Sequence, residues 1–225
     1  WARIWPLAQL IRAMGAYFVR RNSRDELYRR VLERYVAMAT HGGVPQAVFP
    51  EGGLTRDGRL REPRLGVLDY MMRGFWLDGA RDLVFVPLAV NYDRVLEDRS
   101  LLLQANAEAP RPGRARALWN TLAFVGHNLR LMLKSEWHRF GYACVNFGTP
   151  ISMREYCAIH GLDFQKLAGE TRRAAVNALG AHLMGAVGRI VPVVPVALLA
   201  TVFVREPERR FSELELKAAV EVLLE

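Results

Sequence analysis

The stretch Leu83-Val84-Phe85-Val86-Pro87-Leu88-Ala89-Val90 decides how the fold is read. It is apolar at every position, with Pro87 its one interruption, and follows the polar pair Arg81-Asp82. A short run of this kind predicts a strand buried on both faces. Such strands belong to sheets that helices cover on both sides. Working outward, Ala16–Val19, Ala47–Phe49 and Tyr142–Phe147 read as further short strands. Helical patterns separate them. Trp1–Met14 repeats apolar residues at Ile4, Leu7, Ala8 and Ile11. Ser23 opens the next helix, Glu26 completes a capping box, and Leu27, Val31 and Tyr35 continue its inner face until Gly42, Gly43 and Pro45 stop it. Leu65–Trp76, Arg116–Trp137 and Asp163–Arg189 follow, with further capping boxes at Ser152/Glu155 and Ser212/Glu215. The alternation predicts an α/β domain with a central, mostly parallel sheet flanked by helices.

The chain has 225 residues, room for one sizeable domain, and Lys and Arg exceed Asp and Glu by 31 to 23, a net charge of +8. That balance favours anionic partners: phosphorylated metabolites, coenzyme A, acidic carrier protein or anionic lipid. Nucleic acid is not expected, because the arginines gather at strand-end loops and on helix faces rather than interleaving with exposed aromatics. Two cysteines, Cys144 and Cys157, are too few for a disulfide framework or a zinc site. Cys144 lies in a strand pattern and is expected in the core. His160 and Asp163 read as a surface feature near a helix end, so no metal site and no cofactor are expected. The longest apolar stretch, Ile190–Val204, contains Pro192 and Pro195 and is shorter than the ~20 residues of a spanning helix. It is expected to be a buried core segment. Around Leu118–Trp137, the stripe of Leu118, Leu122, Val125, Leu129 and Met132 is bordered by Arg116, Arg130, Lys134 and Arg139. Such a helix suits either packing on the sheet or an anionic lipid surface. The chain opens on Trp1 and closes inside an apolar run, and is expected to be part of a longer protein.

In open α/β sheets ligands bind outside the carboxyl ends of the strands. The first such loop is Arg20-Arg21-Asn22-Ser23, two guanidinium forks beside an expected helix start, suited to phosphate oxygens. The second is Phe49-Pro50-Glu51-Gly52-Gly53-Leu54-Thr55-Arg56-Asp57-Gly58-Arg59. Its adjacent glycines let backbone amides approach a ligand, Glu51 can orient a hydroxyl or an arginine, and Thr55, Arg56 and Arg59 supply donors. Together the two loops describe a pocket for a small phosphorylated polyol.

These residues resemble the glycerol-3-phosphate acyltransferase family, the membrane-associated bacterial branch and its dihydroxyacetone-phosphate relatives above all. Gly15-Ala16-Tyr17-Phe18-Val19-Arg20-Arg21 is similar to the family's second block, and Val48–Arg59 to the third. Phe85–Val95 is similar to the fourth, with its characteristic Pro87, and Val145-Asn146-Phe147-Gly148-Thr149-Pro150-Ile151-Ser152 to a later strand and turn. The resemblance covers residues 1 to about 204, implying an acyltransferase domain there and the start of a C-terminal helical region over 205–225. It implies transfer of a fatty acyl group from acyl-CoA or acyl carrier protein to the sn-1 hydroxyl of glycerol 3-phosphate. Alternatives are dihydroxyacetone phosphate as acceptor, or a non-catalytic lipid-binding module of the same fold. Arg20, Arg21, Glu51, Gly52, Gly53, Thr55, Arg56 and Arg59 would bind the acceptor, with Arg21 favoured over Arg20, and Pro87 would help shape the cleft. An anionic membrane surface, the cytoplasmic face of the inner membrane, is the implied location.

The family's first block is a His and an Asp separated by four residues, a general base and the group that orients it. None of the five histidines here has Asp five positions on. The dyad is therefore expected upstream of Trp1, and the chain alone is expected to be inactive. Leu54 stands where many members carry Arg, so that phosphate donor is either absent or supplied by Arg56 or Arg59, and Thr55 replaces the commoner Ser.

Overall fold

A computed structural model describes residues 7–16, 19, 24–53, 55, 58–93, 123, 126, 130 and 141–224. Its elements are α1 (Leu7–Ala13), α2 (Glu26–His41), α3 (Gly66–Gly74), β1 (Val84–Phe85), β2 (Leu88–Tyr92), β3 (Ala143–Phe147), β4 (Ile151–Ser152), α4 (Met153–His160), α5 (Gly169–Arg189), α6 (Pro195–Arg205) and α7 (Glu213–Val222). Strand Ala16–Val19 and the cap residue Ser23 fall largely or wholly outside the described residues. So does most of Leu118–Trp137, of which Ala123, Gly126 and Arg130 are helical.

The apolar run that suggested a doubly buried strand forms one arm of an antiparallel ribbon instead. Val84 pairs with Ser152 and Phe85 with Ile151, while Leu88 pairs with Phe147 and the ladder continues to Tyr92 opposite Ala143. Between the two segments, Val86-Pro87 faces Gly148-Thr149-Pro150, so one arm carries an extra residue. Prolines on both arms lack the N–H a continuous ladder needs, and a bulge absorbs the mismatch. The N–H of Gly148 donates to the Pro87 carbonyl at 2.8 Å and holds the bulge closed. Both described pairings are antiparallel, so the mostly parallel sheet expected from the helix–strand alternation is not found among the described residues. Ala47–Phe49 is not a strand here: it pairs with no strand among the described residues, and Phe49 is 82% exposed. One ribbon face is covered, with Ala89 buried and the amides of Asn91 and Asn146 donating to the carbonyls of Pro192 and Ile190 at 2.8 and 3.0 Å. The other face, Leu88, Val90, Tyr92, Val145 and Phe147, is open to solvent.

The core gathers where α3, α4 and α5 meet. Leu68, Met72, Phe75, Met153, Tyr156, Cys157, Phe164, Val176 and Leu179 form one buried cluster. Its members come from residues 68–75 and 153–179, so stretches far apart in the chain close one core. Polar contacts repeat the coupling. Asp69 accepts from Arg172 Nε at 2.7 Å and from Arg73 Nε at 3.0 Å, and Arg73 reaches Glu33 at 3.1 Å, tying α2, α3 and α5 together. The amide of Gln165 donates to the Phe75 carbonyl at 2.5 Å and, at 3.3 Å, to those of Met72 and Arg73, satisfying orphan acceptors at the end of α3. Asp82 accepts from the Ser152 hydroxyl at 2.5 Å and from the Arg154 N–H at 3.1 Å, and Ser152 in turn caps α4.

Three expectations about helices change. The cap of α2 is Asp25, whose carboxylate accepts from Tyr28 N–H at 3.1 Å. The inner face of α2 centres on Val36, one position round from the stripe of Leu27, Val31 and Tyr35, which stays exposed. Ile190–Val204 is a core segment only in part, with Pro192, Val194 and Val202 buried. Pro195 starts α6, of which only Val202 is buried, while Val196, Leu199, Phe203 and Val204 face outward. Pro192 and Pro195 keep the run from joining the ribbon, and Pro195 suits the first helical turn. No described helix is long and apolar enough to cross a membrane. The box at Ser212 and Glu215 is complete, and hydrogen bonds from Ser212 N–H and hydroxyl, with Arg209, hold the Glu215 carboxyl below its usual range.

Burial, with a smaller push from the carboxylates of Asp163 and Asp82, raises the Cys157 thiol above its ordinary range, and burial likewise raises the Tyr156 phenol. A raised pKa favours the neutral form in the folded state. Its contribution is therefore complete below the ordinary thiol value of about 8.5 and is lost as pH rises through the folded value. At pH 8, half-buried Cys144 is expected to react with a thiol reagent while Cys157 stays protected until unfolding. Mass spectrometry of the labelled protein checks this, and stability should fall as pH climbs past about 9.

Candidate functional site

Pro50 and Glu51 are the central residues of a turn closed by Gly52 N–H donating to the Phe49 carbonyl at 3.0 Å. Proline is favoured at the second position of such a turn and glycine at the fourth. Gly52 has φ +62°, which explains why glycine stands there. The chain then returns: Arg64 N–H donates to the Pro50 carbonyl at 2.8 Å, so the loop begins and ends at one point. Its descending limb lies against α5. A side chain at Gly180 would meet Leu65 Cδ2 at 2.6 Å and Pro63 Cγ at 3.2 Å, and one at Gly188 would meet Leu60 Cδ1 at 3.0 Å. The long helix after the ribbon therefore seats the loop that precedes it.

Glu51, Gly52, Gly53 and Thr55 are half-buried in this loop and Arg59 is exposed. The Glu51 carboxylate has no hydrogen-bond or ion-pair partner among the described residues. Arg20, Arg21 and Arg56 lie outside the described residues, as does Leu54. Pro87 belongs to the ribbon bulge. The structure adds Arg64, which the sequence reading passed over. A Cβ on Gly52 would fall 2.6 Å from Arg64 Cδ and 3.2 Å from its Nε, so the arginine's stem fills the space that a side chain at Gly52 would take. The signal was faint: an Arg after a Pro, two residues before a helix that no side chain caps.

Two clefts adjoin these elements. One, of about 140 Å³, lies between the end of α2 and residues 74–83 and is lined by His41, Trp76, Arg81 and Asp82 among others. The other, of about 350 Å³, opens between the starts of α3 and α5, where Asp69, Arg73 and Arg172 meet. Their arginines are engaged: Arg81 donates to the Gly42 carbonyl at 2.7 Å, and Arg172 to the Phe164 carbonyl and to Asp69. His160 and Asp163 behave as a surface pair of independent residues. His160 lies against the Tyr156 ring at 4.4 Å, while Asp163 is held below the usual carboxylate range by Lys166 and the Gln165 N–H. Among the described residues no cluster of His, Cys, Asp and Glu could hold a metal ion. Cys144, expected in the core, is half-buried, on the ribbon face that carries Ala89 and Asn91.

The chain is similar to known proteins along most of its length. Residues 1–91 match a family model described as "Acyltransferase", and residues 128–225 one described as "Glycerol-3-phosphate acyltransferase C-terminal region". Among curated proteins, glycerol-3-phosphate acyltransferase of Xanthomonas axonopodis pv. citri (strain 306) is 29% identical over 95% of this chain and 24% of its own length. The protein of the same name from Xylella fastidiosa (strain M23) is 30% identical over 94% of this chain and 24% of its own. That from Pseudomonas paraeruginosa (strain DSM 24068 / PA7) is 33% identical over 71% and 18%. The chain thus spans about a quarter of the length of the first two relatives.

Proposed function

Because the chain belongs to the glycerol-3-phosphate acyltransferase family, we propose that it supplies the acceptor-binding part of an enzyme acylating the sn-1 hydroxyl of glycerol 3-phosphate. The acyl donor in this reading is acyl-CoA or acyl carrier protein, and the product enters phospholipid biosynthesis. The observation that carries it is the closed loop at Pro50–Gly53, in which Glu51 has no partner among the described residues and the stem of Arg64 lies against Gly52. A carboxylate can accept from the acceptor's hydroxyls, and a guanidinium fork can take its phosphate. In the reaction a C–O bond forms between that hydroxyl and the acyl carbonyl carbon, the C–S bond breaks, a base takes the hydroxyl proton, and the thiol leaves.

Arg20, Arg21 and Arg56 are assigned to the same phosphate, with Thr55 and Arg59 as further donors, and Pro87 to the shape of the cleft. We assign residues 1–204 to the acyltransferase domain and 205–225 to a following helical region. In the complete enzyme we place the ribbon beside further strands in a mostly parallel sheet. The net charge of +8 and the open apolar ribbon face support association with an anionic membrane surface, on the cytoplasmic side of the inner membrane. Co-sedimentation of the full-length protein with phosphatidylglycerol vesicles, lost in neutral vesicles, is the expected result.

The deciding assay measures thiol release by the full-length protein from a long-chain acyl thioester, with glycerol 3-phosphate or dihydroxyacetone phosphate as acceptor. Glu51→Ala and Arg21→Ala should each raise the acceptor KM about tenfold, as the loss of one hydrogen bond to a charged group implies. Unchanged acceptor KM and turnover in both variants would remove the binding-site assignment, and no thiol release with either acceptor would remove the reaction.

A further inference from the structure

We propose that Arg64 is a phosphate-binding residue of the acceptor site, held in place by the absence of a side chain at Gly52. The inference rests on the acceptor-site reading above and adds to it a residue outside the stretches that carry the family resemblance. Three observations converge. The Arg64 N–H bonds the Pro50 carbonyl at 2.8 Å, so its backbone is anchored to the turn that bears Glu51. Its Cδ occupies the place of the missing Cβ at Gly52, so the side chain crosses the turn rather than extending away from it. Finally, Arg64 makes no ion pair among the described residues, whereas Arg73, Arg172 and Arg173 are each matched by a carboxylate.

A guanidinium held by its stem and left without a carboxylate loses little entropy on taking an anion. The planar fork suits two phosphate oxygens at once. Gly52 at φ +62° serves two ends: it completes the turn, and it leaves room for the stem of the exposed Arg64 to lie across it.

The test uses the full-length protein and three variants: Arg64→Gln, Gly52→Ala, and the two combined. With glycerol 3-phosphate as acceptor, Arg64→Gln should raise the acceptor KM about 30-fold, the effect of removing a charge-assisted hydrogen-bonded pair. The KM for the acyl thioester should not change. Gly52→Ala removes no charge, yet should raise the acceptor KM comparably, because its methyl displaces the arginine stem. The double variant should then be no worse than the worse single one, since both act through one contact. An unchanged acceptor KM in Arg64→Gln, or fully additive losses in the double variant, would overturn the proposal.

Should the wild-type protein release no thiol, the reaction assignment fails by itself, and the anion site is read by calorimetric titration with inorganic phosphate and with glycerol 3-phosphate. Weaker binding of both in Arg64→Gln upholds the site. Equal binding in wild type and variant refutes it, as does the absence of binding in the wild type. Thermal unfolding of each variant identifies any that fails to fold, and Arg64→Lys, which keeps charge and stem but loses the fork, then replaces Arg64→Gln with the same expected direction.

Discussion

Gly74→Ala should destabilise the chain by about 2 kcal/mol, although alanine is the better helix former. Gly74 ends α3, where the helix presses directly on α2. A Cβ placed there would lie 2.9 Å from both the carbonyl carbon and the Cα of Ala37. These are backbone atoms, so no change of rotamer relieves the overlap and one helix must move. Overpacking of this kind costs roughly 3 kcal/mol, while replacing a helical glycine by alanine returns about 1. The sign of the measurement therefore discriminates. Gly66, in the first turn of the same helix, has nothing within 4 Å of its virtual Cβ. Gly66→Ala should be neutral or stabilising by a few tenths of a kcal/mol up to about 1. Urea unfolding of the two variants side by side separates helix propensity from helix packing. A Gly74→Ala protein as stable as wild type would mean that α2 and α3 do not approach as described.

The second large effect is expected at Arg172. Its side chain is 13% exposed and Asp69's is 23%, and the 2.7 Å contact between them joins α5 to α3. Removing one partner of a wholly buried pair costs about 3–5 kcal/mol, because the remaining charge is stranded. Partial solvent access at both groups reduces that figure, and Asp69 keeps Arg73 as a second partner at 3.0 Å. Arg172→Met, which preserves the stem, should therefore cost about 2 kcal/mol. The cycle with Asp69→Asn should show coupling of about 1 kcal/mol, measured by denaturant unfolding of the four proteins. Additive losses would mean that the contact contributes nothing. The pair also bears on the organisation of the molecule. Asp69 lies in the stretch matched by one family model and Arg172 in that matched by the other, so their coupling measures how far the two stretches fold as one unit.

The turn at Phe49–Gly52 was visible in the sequence because its residues are local. Pro50, Glu51 and Gly52 occupy turn positions that their own backbone preferences dictate, and adjacent glycines announce a close approach wherever they stand. Arg64 was not visible, since its position across Gly52 depends on the path of the chain between them. The caps show the same division. Ser152 and Ser212 cap α4 and α7 as their spacing implies, because a cap needs only three residues of context.

What needs partners distant in sequence could not be read in advance. Two apolar stripes run side by side on α2, Leu27-Val31-Tyr35 and the one through Val36, and periodicity alone cannot choose between them. The close approach of Ala37 to Gly74 chooses the second. The run Leu83–Val90 is equally apolar on both faces, yet its pairing is antiparallel and one face stays open, because the strand's surroundings depend on residues 143–152 and on what else covers the ribbon. By itself the amino-acid order settled the turn at Pro50–Gly52, most helix positions and the family likeness, since each of these is written in neighbouring residues. Burial, strand pairing and the placement of Arg64 were settled by contacts between residues far apart in the chain, whose free energy no local window contains.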